Sequence, residues 1–125
     1  MIERWHHLTI LSGASLNSLS AETRLPPESP WFSGHFPGNP ILPGVAVLAM
    51  VAEMVRYAEE KKKGKVRISG VKRVRFKQPV KPNELLFIEV SCDGADRVSS
   101  YFFKAMVRNE IACTGQMLVE GISAG

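Results

Sequence analysis

Two cysteines, Cys92 and Cys113, are the only ones among the 125 residues. So few cysteines exclude a disulfide framework, and free thiols in a reducing compartment are expected instead. A long hydrophobic run is also lacking, because the longest apolar stretch, Val45–Ala52, falls far short of the roughly 20 residues that span a bilayer. No basic stretch followed by an apolar run opens the sequence, so no secretory signal is visible. These absences predict a soluble, cytoplasmic protein that does not act at a membrane.

Length and composition are those of one globular domain. The chain is 45% hydrophobic and 22% charged, which is ordinary for a folded protein with a buried core. The sequence shows no internal repeat, no low-complexity tract and no linker. We therefore expect residues 1–125 to form a single domain.

Basic residues outnumber acidic ones, giving a net charge of +4, and most of them are clustered. Such a cluster attracts anionic partners with a strong salt dependence. The candidates are nucleic acid, an anionic membrane surface, an acidic carrier protein and a phosphorylated cofactor, while a solvated surface without a partner explains the cluster equally well. No nucleic-acid-binding motif accompanies it, so nucleic acid is not expected. The cluster comprises Arg56, Lys61, Lys62, Lys63, Lys65, Arg67, Lys72, Arg73, Arg75, Lys77 and Lys81.

Hydrophobic periodicity predicts one helix among five strands. From Val45 to about Lys61 there is no Gly or Pro, and the first eight residues are apolar, as in a helix buried on every side. Pro43 suits the first position of this helix. Strands are predicted at about Ser15–Leu25 (a first or edge strand), Lys65–Lys77 (with a bulge near Gly70), Glu84–Cys92, Val98–Arg108 and Ile111–Glu120, with turns at Asp93–Gly94 and Asn109–Glu110.

The order of these elements predicts the fold. A sheet that must cover one wholly apolar helix curls around it. The pattern therefore predicts an α+β hotdog fold, in which a curved antiparallel sheet wraps one long central helix. The segment before the helix is rich in Gly and Pro but also contains Trp31, Phe32 and Phe36, so we expect a loop that folds inward and lines a site.

The run from Gly34 to Val45, Gly-His-Phe-Pro-Gly-Asn-Pro-Ile-Leu-Pro-Gly-Val, resembles the signature of the 3-hydroxyacyl-acyl-carrier-protein dehydratases. A weaker resemblance to that family lies in Val74–Pro82. The resemblance covers most of the chain from Trp31 onward. It implies homodimers or larger oligomers, with paired helices and acyl tunnels at the interface. It also implies a substrate carried by acyl carrier protein or coenzyme A, and neither metal nor redox cofactor.

The same resemblance implies roles for individual residues. His35 corresponds to the base that removes a proton next to the thioester carbonyl, which suits an imidazole. Gly44 corresponds to the helix start whose N–H groups stabilise the enolate, although a glycine needed only for a tight turn explains it equally well. The expected substrate-binding residues are Phe36, Gly38, Pro43, Gly44 and Val45.

One part of the family pattern is missing. The family places an Asp or Glu fourteen residues after the histidine, and counting from His35 reaches Ala49. Glu53 lies one turn further on the same helix face and is the candidate replacement, because a carboxyl group on an apolar helix is expected to retain its proton. The alternative is that Glu53 only pairs with Arg56.

Three functions remain open at this point. The first is a 3-hydroxyacyl thioester dehydratase, a hydro-lyase of fatty acid or related lipid or polyketide metabolism. The second is an acyl thioesterase in which Glu53 activates water, and the third is a non-catalytic acyl-carrier-binding subunit that lacks the acid. In each case Lys72, Arg73 and Arg75 are expected to dock the acidic carrier protein.

Two adjacent histidines near the start, His6 and His7, invite a metal site. Neighbouring residues of an extended chain point to opposite faces, and the sequence offers no third ligand close by. We therefore expect no bound metal.

Overall fold

The computed structural model describes residues 6–15, 18–33, 38, 40–62, 66–92 and 98–121. Within these residues one helix packs against a six-stranded antiparallel sheet with the strand order β1-β2-β4-β5-β6-β3. This is the predicted hotdog arrangement. The elements are β1 (Thr9–Ser15), β2 (Ser18–Arg24), a short 3₁₀ helix (Pro30–Phe32), α1 (Gly44–Lys62), β3 (Val66–Phe76), β4 (Leu85–Cys92), β5 (Val98–Val107) and β6 (Glu110–Gly121).

Helix α1 agrees with the prediction to within one residue at each end. It begins directly after Pro43, whose carbonyl accepts a 3.0 Å hydrogen bond from the Ala46 N–H. Its buried side chains recur every three or four residues, and each contributes roughly 1.5–3 kcal/mol if fully removed from water. That face consists of Ala46, Val47, Met50, Val51, Met54, Val55 and Ala58.

The expectation that α1 is buried on every side is wrong for the single chain. Val45 is 62% exposed, and Leu48, Ala49 and Ala52 are only half-buried. One sheet cannot surround a helix, so this apolar flank has no covering strand among the described residues. No helix in these ranges is both long and apolar enough to cross a membrane.

Strand β3 forms one edge of the sheet and is irregular. It pairs with β6, and the register shifts between Ile68 and Gly70 and again between Lys72 and Arg75. The first shift confirms the predicted bulge near Gly70. At the second, Arg73 adopts a φ of 57°, which is uncommon for a residue with a side chain. Both irregularities turn the exposed strand away from a flat, regular edge.

Two details of the sheet differ from the prediction. The strand expected at about Ser15–Leu25 is β2, and it lies inside the sheet between β1 and β4 rather than first or at an edge. Strand β1 was not predicted, because its apolar alternation ends at Leu11 and four small residues follow. The turn expected at Asn109–Glu110 lies one residue earlier.

At that turn Arg108 and Asn109 both have positive φ, 54° and 60°. A two-residue hairpin connection requires this conformation because its twist matches that of the strands. The expected turn at Asp93–Gly94 lies outside the described residues.

Candidate active site

A cavity of about 350 Å³ lies at the N-terminal end of α1. Gly44 and Val47 of the helix form one wall, Phe76 at the end of β3 forms another, and Cys113 of β6 contributes to a third. The Leu42 N–H donates a 2.8 Å hydrogen bond to the Val80 carbonyl, which fastens the segment before the helix to the turn after β3. The sequence thus brings a helix start and an apolar cavity together.

Gly44 lies directly beneath the ring of Phe76. A methyl group at Gly44 would come within 2.5 Å of Phe76 Cζ and 2.7 Å of Cε1, which is too close for any real contact. Phe76 itself is 57% exposed, so its ring lies at the mouth of the cavity rather than in the core. Packing against Phe76 therefore explains why residue 44 is a glycine. The close approach of a thioester to Gly44 stays a prediction.

Cys113 contributes a thiol to the cavity wall. Burial raises the pKa of this thiol to about 11. At neutral pH the group is therefore protonated, and only the thiolate is an effective nucleophile. Cys113 accordingly acts as an apolar wall residue rather than as an attacking group.

The predicted catalytic base, His35, and the remaining predicted substrate-binding residues are placed as follows. His35 and Phe36 lie outside the described residues. Gly38 is exposed and has a φ of 84°, which explains its glycine. Pro43 and Val45 flank Gly44 in sequence, but neither is among the residues that form the cavity wall.

Glu53 does not share the cavity with Gly44. The two residues are nine positions apart on α1, which at 3.6 residues per turn and 1.5 Å per residue puts them on opposite faces, roughly 13 Å apart along the axis. The Glu53 side chain is 46% exposed in the single chain. Its described partner is His6 and not Arg56, so the predicted alternative pairing is not the one observed.

His6 connects Glu53 to Trp31 through hydrogen bonds. The Trp31 indole N–H donates to His6 Nδ1 at 3.0 Å, and His6 Nε2 lies 3.3 Å from Glu53 Oε1. The indole and imidazole rings lie nearly coplanar, edge to edge across their hydrogen bond, with 20° between their planes and their centroids 6.1 Å apart. His7, by contrast, is exposed, as expected for the neighbouring residue of an extended chain. No sequence pattern indicated this cluster, because its members are 25 and 47 residues apart.

The predicted carrier-docking residues lie on the edge strand. Lys72, Arg73 and Arg75 are all exposed, and Lys77, which follows β3 directly, borders the cavity. Among the residues the structure describes, no ion pair joins any of these four to a carboxylate. Arg67, further along the strand, is paired with Glu120 at 2.5 Å. The second half of β3 therefore carries a row of unpaired positive charges that ends at the cavity mouth.

A buried polar pair lies elsewhere in the core. The Tyr101 hydroxyl donates a hydrogen bond to the Glu59 carboxylate, and both residues are almost fully buried. Burial and the neighbouring carboxylate raise the pKa of Tyr101 well above its usual range. This pair links the end of α1 to the centre of the sheet and has no candidate site residue in it.

The fold and the cavity at the helix start together define a hotdog-fold protein. The sequence model of the ApeI-like family, described as ApeI dehydratase, matches residues 12–116. The chain therefore belongs to the ApeI-like dehydratase family.

Curated relatives extend this finding. The chain is 38% identical over 98 residues to the 3-hydroxyacyl-[acyl-carrier-protein] dehydratase FabZ of Caldicellulosiruptor bescii, covering 73% of this chain and 69% of the relative. It is 41% identical over 97 residues to FabZ of Caldanaerobacter subterraneus, covering 73% and 68%. A match to the bifunctional enzyme LpxC/FabZ of Chlorobaculum tepidum, 37% identical and covering 73% of this chain, spans only 21% of that longer enzyme.

Solved structures support the fold. The dehydratase heterocomplex ApeI:P of Xenorhabdus doucetiae matches with a TM-score of 0.70 at 24% identity, over 87% of this chain and 92% of that one. The PaaI protein of E. coli matches with a TM-score of 0.76 at 11% identity, over 93% and 80%. At these identities the likeness is one of fold.

Proposed function

We propose that this chain is a 3-hydroxyacyl thioester dehydratase, a hydro-lyase acting in fatty acid or related lipid or polyketide metabolism. The observation that carries the proposal is the apolar cavity at the glycine start of α1, in a chain that belongs to a dehydratase family. An acyl chain fits apolar walls, and the helix N-terminus offers N–H donors for a developing negative charge.

The proposed reaction uses three groups. His35 removes a proton from the carbon next to the thioester carbonyl, and the electron pair moves to the carbonyl oxygen. N–H groups at the start of α1, beside Gly44, stabilise this enolate. When the electrons return, the bond to the 3-hydroxyl breaks, and Glu53 supplies the proton with which the hydroxyl leaves as water. The product is an enoyl thioester.

This assignment requires two copies of the chain, because Gly44 and Glu53 lie on opposite faces of one helix. A site formed between copies joins Gly44 of one to Glu53 of the other. The apolar flank of Val45, Leu48, Ala49 and Ala52 supports such pairing, since exposed apolar flanks favour association. We therefore propose a homodimer, alone or within a larger oligomer.

We further propose that an acidic acyl carrier protein docks on Lys72, Arg73 and Arg75. The supporting observation is that their charges are exposed and unpaired within the described residues, and that Lys77 continues them to the cavity mouth. A carrier held there presents its prosthetic arm to the cavity, and opposite charges speed the encounter.

Thioester assays test the proposed reaction. Purified protein is incubated with 3-hydroxyacyl and enoyl thioesters, and the appearance or loss of the enoyl group is followed together with free thiol. Wild type should interconvert the two thioesters without releasing thiol, and Glu53→Gln should lower the rate by about 10²–10⁴. Ala49→Glu should add little, because the proton donor is already present. Absence of any reaction in wild type on short and long acyl chains would contradict the proposal and favour a non-catalytic, carrier-binding subunit.

An acyl thioesterase is the second candidate, and one observation favours it. His6 holds one oxygen of Glu53, and the ionised form of the carboxyl group can activate water with the other oxygen. A hotdog-fold thioesterase of Pseudomonas aeruginosa also shares the fold, with a TM-score of 0.73 at 12% identity. Thiol release without change in the enoyl group would select this reaction.

A further inference from the structure

We infer that His6 is a positioning residue for Glu53, which extends the proposed dehydratase and rests on it. The inference starts from the Trp31–His6–Glu53 cluster, in which one imidazole contacts both partners through its two ring nitrogens. His6 is itself confined, since only 12% of its side chain is exposed and its ring is hydrogen-bonded edge to edge with Trp31. The contact to Glu53 is therefore made from a held side chain.

The hydrogen bonds fix the state of the imidazole. Indole N–H is only a donor, so His6 Nδ1 must accept from Trp31 and carries no proton. A neutral imidazole then has its proton on Nε2, which donates to Glu53 Oε1 at 3.3 Å. Trp31 thus selects the tautomer that directs a donor at the carboxyl group.

The same geometry determines which oxygen of Glu53 is available. Oε1 is occupied by His6, whereas Oε2 has no hydrogen-bond partner within the ranges that the structure describes. A protonated carboxyl group can accept through Oε1 and keep its proton on Oε2. His6 therefore holds the carboxyl group in one orientation and leaves Oε2 as the atom that gives its proton to the departing hydroxyl.

The His6–Glu53 contact also bears on the position of Glu53, which lies one helical turn from Ala49, where the family carries its acid. A carboxyl group one turn from Ala49 needs a fixed side-chain conformation to replace an acid at that position, and an exposed glutamate alone has many. Orientation of a reacting group is worth large factors in rate, so loss of His6 should affect kcat more than KM.

Three variants of the full-length protein separate the hydrogen bond from other roles. His6→Phe keeps a planar aromatic ring beside Trp31 but removes both hydrogen bonds, whereas His6→Gln keeps an N–H donor that can reach Glu53. The exposed neighbour provides the matched control, His7→Phe. We expect His6→Phe to lower kcat by about tenfold to a hundredfold with KM changed less than about twofold. His6→Gln should stay within about threefold of wild type, and His7→Phe should match wild type.

A second measurement does not depend on activity. Long-range ¹H–¹⁵N NMR spectra of wild type, with the three histidines distinguished by the variants, should show His6 protonated on Nε2 and not on Nδ1. Trp31→Phe should convert that signal to a mixture of tautomers.

The outcomes are distinguishable. Wild-type kcat in His6→Phe, or equal losses in His6→Phe and His6→Gln, would overturn the positioning role while Glu53→Gln remains inactive. A proton on Nδ1 of His6 would overturn it even if a variant failed to fold. Full activity in Glu53→Gln would instead overturn the proposed acid itself.

Discussion

The Phe76 ring packs on Gly44 so closely that no side chain larger than hydrogen fits between them. Because that ring is 57% exposed and can turn aside, Gly44→Ala should displace it and lower the free energy of unfolding by about 0.5–1.5 kcal/mol, measured by chemical denaturation. Phe76→Ala combined with Gly44→Ala removes the clash, so the two changes should be less than additive in stability.

Activity in that double variant distinguishes two reasons for the glycine. If Gly44 serves only the packing of Phe76, the double variant should turn over thioesters about as well as Phe76→Ala alone. If the substrate must approach Gly44 closely, stability recovers while activity does not.

Carrier docking should depend on the charge of β3. Lys72→Glu with Arg75→Glu should slow association with an acidic acyl carrier protein at low salt, and the difference from wild type should shrink as salt rises. Arg73 is left unchanged because its φ of 57° is uncommon, so a substitution there would affect the backbone as well as the charge. The control reverses Arg24, which donates to the Asn83 carbonyl, and Lys104, which pairs with Glu89; it changes the net charge equally, and circular dichroism first verifies that it folds. Association rates are measured by stopped-flow fluorescence. If the two double variants bind the carrier equally slowly, β3 is not the docking surface.

A site shared between copies should allow complementation. His35→Ala and Glu53→Gln are each expected to be inactive, yet mixing them under conditions of subunit exchange should restore about a quarter of wild-type activity, since half of the dimers are then mixed and each has one complete site. Light scattering on the same samples should report at least a dimer. No recovery despite demonstrated exchange would show that both groups act within one chain.

Stability should fall at alkaline pH because of the Tyr101–Glu59 pair. The pKa of Tyr101 is raised in the folded state, so above about pH 10 the unfolded chain releases a proton that the folded chain keeps, and the folded state loses stability as the pH rises. Tyr101→Phe should flatten this slope and cost about 1–3 kcal/mol at neutral pH by removing the donor to buried Glu59. Tyr57→Phe is the control, because this tyrosine is 40% exposed; it should leave the alkaline slope and the stability at neutral pH unchanged.

The helix and the later strands could be predicted because their signals are local. Pro43 at the start of α1 and the alternation of β4 each depend on neighbouring residues only, and both agree with the structure. Strand β1 has too few apolar residues to show a period of two, so only its pairing with β2 reveals it.

The candidate site was predicted less completely for a physical reason. Its motif is contiguous in sequence, but the partners of Glu53 and Gly44 are set by how distant segments pack. His6 and Phe76 come from parts of the chain far from the residues they contact, and no periodicity reports such contacts.

The irregular edge strand limits how these proteins can associate. Fibrils grow when a long, flat edge accepts one strand after another without end. Two shifts of register interrupt β3, and the positive charges of Lys72, Arg73 and Arg75 at the second shift repel a further identical strand. Such an edge is a poor template for cross-β growth, which lowers the tendency of the folded protein to aggregate.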